Sequence, residues 1–236
     1  MRITNWGKAV GLFLAVMGQC WAAVIFSEQF NDISTLNGSG WVQINNSVPA
    51  GPSSAWFQGN SGIFPAHAGA ATAYIATNFD IAPSGADLSN WLLTPTVNVN
   101  NGYVFSFFTR TEAGSPFADR LQVRFSSNGA STDVGTTATS VGDFTSLLLA
   151  INPGVSSGGY PENWTQFSIT FSGLSGLTAG RLALWYTVPD NSVNGNYIGI
   201  DTVTLSDANV VIPEPASVIL VGIALGGLGW RRRRKG

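Results

Sequence analysis

Hydrophobic side chains recur at every second position along much of this chain. Leu121, Val123 and Phe125 alternate with Gln122, Arg124 and Ser126. Phe167, Ile169 and Phe171 alternate with Gln166, Ser168 and Thr170, and Leu182, Leu184, Tyr186 and Val188 form a third such face. A period of two puts one set of side chains on one face of a strand, so these runs read as half-buried antiparallel strands. Residues 103–110 are apolar on both parities, which predicts a central strand. Clusters of Gly, Asn, Ser and Pro at 37–40, 49–54, 83–85, 127–131 and 152–159 punctuate the runs as turns. No amphipathic helix is evident, and residues 144–151 read as a strand or one helical turn. Roughly twelve short strands predict an all-β, two-sheet antiparallel sandwich of the jelly-roll kind.

Two terminal segments do not fit that pattern. Arg2 and Lys8 precede an apolar stretch, 9–17, and Cys20-Trp21-Ala22 offers small residues at the −3 and −1 positions. This predicts a signal peptide over 1–22, cleaved before Ala23. Gln19 before Cys20 fits a lipidation site poorly. The β-sandwich then occupies 23–207. A linker, 208–215, carries Pro213-Glu214-Pro215 and leads into an uncharged run, 216–230, followed by Arg231-Arg232-Arg233-Arg234-Lys235 in the basic tail 231–236. As a helix that run is about 22 Å long, against a hydrocarbon core of about 30 Å. It also holds Gly222, Gly226, Gly227 and Gly229, which are weak helix formers. It reads as a marginal single transmembrane helix with its basic end in the cytoplasm and the sandwich outside.

The triplet, the Gly-rich apolar run and the terminal Arg cluster, in that order, resemble the PEP-CTERM sorting signal. The resemblance implies a protein exported from a Gram-negative bacterium and held transiently at the inner membrane. There an exosortase would recognise Pro213, Glu214 and Pro215 and release or re-anchor the chain.

The terminal segments also conceal the charge of the domain between them. The formal net charge is −2. Between 23 and 212, however, Arg110, Arg120, Arg124 and Arg181 face twelve Asp and Glu, a net charge of −8. Such a surface repels nucleic acid and suits neutral or basic partners and divalent cations. The one cysteine, Cys20, leaves with the signal, so the mature chain has no disulfide and its stability rests on its core.

A second resemblance covers about 24–206. Phe26-Ser27-Glu28-Gln29-Phe30, Gly40-Trp41, Asn90-Trp91-Leu92-Leu93-Thr94-Pro95, Leu121-Gln122-Val123-Arg124-Phe125-Ser126, Trp164 and Ile198-Gly199-Ile200-Asp201-Thr202-Val203 occur in that order. Together they are similar to the choice-of-anchor J domain, related to MAM and cleaved-adhesin domains. The resemblance implies a jelly-roll surface protein without established enzymatic activity, and calcium near these motifs.

Candidate sites are few. His67 is the only histidine, so a triad or a zinc site has thin support, and it reads as a loop residue. No pair of carboxylates stands in a recognisable glycosidase context. Calcium is the more physical expectation, since hard cations take carboxylate and carbonyl oxygens. Glu28 lies on the first strand and Asp201 on the last, and adjacent first and last strands would bring them together. The apolar parity also flips from Ile198 and Ile200 to Val203 and Leu205, which predicts a bulge that re-aims Asp201. Asp32, Asp80 and Asp87 are weaker candidates. Trp91, Trp164 and Trp185 read as core. Trp56, between Gly51-Pro52-Ser53-Ser54 and Gly59-Asn60, reads as an exposed loop aromatic and a ligand platform. These readings converge on a non-enzymatic surface or matrix protein with a structural or adhesive role in extracellular polymer or biofilm. A carbohydrate-binding module for exopolysaccharide is the alternative, and a polysaccharide hydrolase is the weaker one.

Overall fold

The computed structural model describes residues 23–51 and 56–207. The signal peptide, the linker, the sorting triplet, the apolar run and the basic tail lie outside the described residues. Among the described residues there are twelve strands and no α-helix. They are β1 (Val24–Glu28), β2 (Val42–Asn45), β3 (Phe57–Gln58), β4 (Ile75–Asn78), β5 (Leu88–Leu93) and β6 (Val97–Val99), then β7 (Val104–Thr111), β8 (Leu121–Ser126), β9 (Ser146–Ile151), β10 (Thr165–Thr170), β11 (Thr178–Val188) and β12 (Tyr197–Ser206). Two 3-10 turns, Ile33–Thr35 and Phe79–Ile81, interrupt them.

The strands form two antiparallel sheets. One runs β10-β7-β12-β4-β3, with β1 also paired to β12; the other runs β2-β5-β11-β8-β9, with β6 also paired to β11. Their inner faces close over one core. Ile75, Phe105, Phe107, Ile198 and Val203 of the first sheet meet Leu92, Val123, Phe125, Leu182 and Leu184 of the second. The alternating runs are therefore strands, as their period requires. Residues 104–110 fall in β7, which is central between β10 and β12, and of the ambiguous run residues 146–151 form β9.

Each sheet also buries part of its outer face. On the first, Phe64 from the 59–73 loop packs with Tyr74, Tyr197 and Trp164. On the second, Val134 and Phe144 from the 127–145 loop cover Trp91 and Trp185, whose rings stack 4.4 Å apart and whose indole N–H groups both donate to Ser89 Oγ. All six residues of β5 are buried for this reason. Trp164 precedes β10 rather than sitting in a strand, and its indole N–H donates to Pro65 O, which pins the 59–73 loop. Finally, the ends of the described domain meet. Ala23 N donates to Asp207 Oδ1, and Asp207 N returns a bond to Ala23 O.

Candidate functional site

The structure brings Glu28 and Asp201 onto neighbouring strands. β1 pairs with β12 in a register that sets Glu28 opposite Val203, two residues from Asp201. The pairing of β12 with β7 slips between Asp201 and Thr204, and Thr202 sits at φ +51°. This is the predicted bulge. One extra residue on β12 lets Ile200 and Val203 both face the core while Asp201 turns to the outer face. A β-branched residue at positive φ is strained backbone, held here by its surroundings.

At that bulge Asp201 is 0% exposed. Its Oδ2 accepts from Ala68 N at 3.0 Å and its Oδ1 from Thr202 N at 2.6 Å. Burial pushes its carboxyl above the usual carboxylate range, and the amides of Ala68 and Thr202 oppose that shift. His67 is exposed, stacks on Phe108 at 3.5 Å and sets Nδ1 3.0 Å from Thr202 Oγ1. Gln29 Oε1 lies 3.4 Å from the same hydroxyl. Glu28 Oε1 accepts from Phe30 N, itself at φ +50°. The carboxylates and the Gln29 amide at this corner present oxygen donors, the type a hard cation takes. Among the described residues no three acidic, histidine or cysteine side chains converge on one point.

The other predicted residues go elsewhere. Asp32 caps the Ile33–Thr35 turn through Ser34 N and Ser34 Oγ, and Asp87 accepts from Asp190 N. Trp56 corrects the sequence reading. It is 1% exposed and belongs to the main core, so it is no ligand platform.

A second site has no signal in the sequence. A cleft of about 300 Å³ opens between the Phe79–Ile81 turn, the segment before β8 and the loop joining β11 to β12. Phe79 (41% exposed) and Phe117 (46% exposed) stand on its two walls. Asp80, Ser84, Ser192 and Asn196 supply polar groups. Gly195 and Asn196 tie the walls together: Gly195 N donates to Ala118 O at 2.8 Å, and Phe79 N donates to Asn196 O at 3.0 Å. Gly195 has φ +81°, and a Cβ there would come within 3.1 Å of Tyr186 Oη, so glycine suits both the conformation and the close approach. Asn191 braces the other wall. Its Nδ2 donates to Phe79 O and Ala82 O, and its Oδ1 accepts from Ala86 N.

Beneath the loop lies Asp119, fully buried. Its Oδ1 accepts from Tyr186 Oη at 2.7 Å and from Asn196 N at 2.8 Å, and Thr111 Oγ1 lies 2.6 Å from its Oδ2. Burial drives its carboxyl upward, and these partners only partly offset the shift. The buried carboxyl thus anchors the loop that forms the cleft, from below and out of reach of a ligand.

Residues 211–234, which span the triplet, the apolar run and the Arg cluster, match the PEP-CTERM protein-sorting motif. The chain carries a PEP-CTERM sorting signal. Such signals are processed by exosortase, so the protein is exported and anchored only transiently in the membrane. No curated protein matches the chain by sequence. Its fold is similar to solved cleaved adhesin domains of Lys-gingipain from Porphyromonas gingivalis. The K3 domain is 18% identical, with a TM-score of 0.51, covering 78% of this chain and 100% of that one. The K1 domain is 22% identical at the same TM-score, covering 77% and 97%. The PEP-CTERM signal is therefore joined to a β-sandwich of the cleaved-adhesin shape.

Proposed function

We propose that this chain is a non-enzymatic surface protein that makes adhesive contacts in the extracellular polymer of a Gram-negative bacterium. The pairing of a PEP-CTERM signal with a cleaved-adhesin-like sandwich carries the reading. The state of the titratable groups supports it. His67 faces a threonine hydroxyl and an aromatic ring, Asp201 is occupied by backbone amides, and Asp119 by interior donors. A general acid or base must instead reach a substrate proton. In this reading exosortase acts at Pro213-Glu214-Pro215, and the mature protein stays at the cell surface or in the matrix.

Calcium belongs to the same proposal. Glu28 and Asp201 would hold it, with Gln29 Oε1 as a neutral oxygen. The ion would offset the charge of a buried carboxylate and fix the strained bulge.

Two measurements on cells test the proposal. Mass spectrometry of the extracellular protein is expected to show a C-terminus lacking 231–236; an intact basic tail there refutes the sorting step. Cells lacking the protein are expected to retain less polymer and attach less well, with both restored by complementation. Unchanged retention and attachment refute the adhesive role. Turnover of matrix polymer by the purified protein, abolished by Asp80→Asn, would move the reading to a hydrolase.

A further inference from the structure

The cleft between Phe79 and Phe117 has the build of a recognition site. We infer that it binds a pyranose unit of a polysaccharide, one that is uncharged or carries an amino group. The inference rests on the adhesive reading and names the chemistry of its partner.

Four observations carry it. First, the volume of about 300 Å³ lies at the lower end of ligand clefts and has room for one or two sugar rings. Second, two phenylalanines from different segments line the cleft and leave nearly half of their surface in solvent. A pyranose has an apolar C–H face and a hydroxyl rim, and aromatic walls bordered by polar groups match both. Ser84, Ser192 and Asn196 supply that polar border. Third, the cleft is preorganised. Asn191 spends both side-chain termini on Ala86, Phe79 and Ala82, and the Gly195–Asn196 backbone bonds to both walls. A ligand therefore pays little to order the site. Fourth, the electrostatics select the sugar. Asp80 lines the cleft, Glu112 accepts from Asn196 Nδ2, and the exported segment carries −8. A uronic acid would place a carboxylate against these groups, whereas a neutral ring is tolerated and an amino sugar is attracted. The same charge disfavours acidic peptides and nucleic acid. A purely apolar peptide would desolvate the Asp80 carboxylate and the Ser84 hydroxyl without offering either a partner.

The test uses the mature protein purified from the culture. Its binding is measured to soluble neutral glucans and galactans, to chitosan oligosaccharides and to alginate. Saturable binding to a neutral or amino glycan is expected, with alginate at least tenfold weaker. Phe117→Ala and Phe79→Ala are each expected to weaken binding at least tenfold, with melting temperatures close to that of the unmutated protein because both rings are half exposed. Phe117→Tyr is expected to retain it. Asp80→Asn is expected to narrow the preference for chitosan over neutral glycan by severalfold. The inference is overturned if no neutral or amino glycan binds, if alginate binds equally well, or if a folded Phe117→Ala protein binds undiminished. The adhesive reading is judged separately. If cells producing Phe117→Ala attach normally while cells lacking the protein do not, adhesion stands and the cleft is not its contact.

Discussion

Asp119 Oδ2 lies 2.6 Å from Thr111 Oγ1, and that hydroxyl also lies 3.1 Å from Tyr197 O. A threonine hydroxyl has one hydrogen and faces two acceptors here. A protonated Asp119 resolves the conflict, because its O–H donates to Thr111 while Thr111 donates to Tyr197 O. The geometry and the burial thus favour the neutral acid. A carboxyl whose pKa is raised on folding gives stability that is fully present below its unfolded value of about 3.9 and is lost as pH rises through the folded value. Asp119→Asn cannot ionise, and its amide can donate to Thr111 in the same place. It is expected to be more stable than the unmutated protein at pH 7 and close to it at pH 4, measured by urea unfolding. The residual pH dependence combines Asp201, which is shifted in the same direction, with Asp32, Asp143 and Asp190, whose carboxyls are lowered by hydrogen bonds and act in the opposite sense. Asp119→Ala leaves Tyr186 Oη and Asn196 N without their acceptor and is expected to lose about 2–4 kcal/mol across this range. A lower stability of Asp119→Asn at pH 7 would mean that the anion is the native form.

Trp56→Ala is expected to act on stability rather than on binding. The side chain is buried in the main core. Emptying it removes a large contact area and leaves a cavity, a loss of about 3–5 kcal/mol. Trp56→Phe is expected to lose less and to bind glycan as the unmutated protein does. Reduced binding by a stably folded Trp56→Phe would restore Trp56 as a ligand contact.

What could be read in the sequence was local. The alternation at 121–125 and 182–188 depends only on strand period, so it held. The bulge at Asp201 was legible for the same reason, since a flip of apolar parity within one strand demands an extra residue. Trp56 misled because its Gly, Pro and Ser neighbours resemble a surface loop, while its burial comes from residues distant in sequence. β5 obscured its alternation because both of its faces are covered, one by the opposite sheet and one by the 127–145 loop. The cleft was invisible. Phe79, Phe117 and Gly195 are far apart in the chain, and each looks like an ordinary turn residue. Asn191 and Asp119 are polar residues at the borders of strands, and nothing local distinguishes them from exposed ones.

Gly199 tests how the outer loop is seated. A Cβ built there comes within 2.9 Å of Phe64 Cε2, Trp164 Cη2 and Tyr74 Cδ2. These rings belong to the cluster that fastens the 59–73 loop to the first sheet. Gly199→Ala is expected to displace them and lower stability by about 1–3 kcal/mol, as overpacking does. The loop should then be cleaved faster in limited proteolysis, while cleavage of the main sheets changes little. An unchanged proteolysis pattern would show that the aromatic cluster yields without releasing the loop.

The calcium proposal makes the sharpest prediction about stability. A ligand that binds only the folded chain stabilises it by about 2.7 kcal/mol at one hundred times its dissociation constant. For a domain of this size that is a rise of roughly 5–10 °C in melting temperature. The mature protein is expected to show that rise between chelator and millimolar calcium, and magnesium should give less, since it demands a stricter octahedral shell. Glu28→Gln is expected to reduce the increment. Asp201→Asn should abolish it, and it also lowers stability in chelator, because one of the two amides that Asp201 accepts from then faces an NH₂ group. The increment, not the absolute melting temperature, is the decisive quantity: an equal response to calcium in Asp201→Asn would place the ion elsewhere. Equal melting temperatures of the unmutated protein in calcium and chelator would leave the bulge at Asp201 held by Ala68, Thr202 and the stacked His67–Phe108 pair alone.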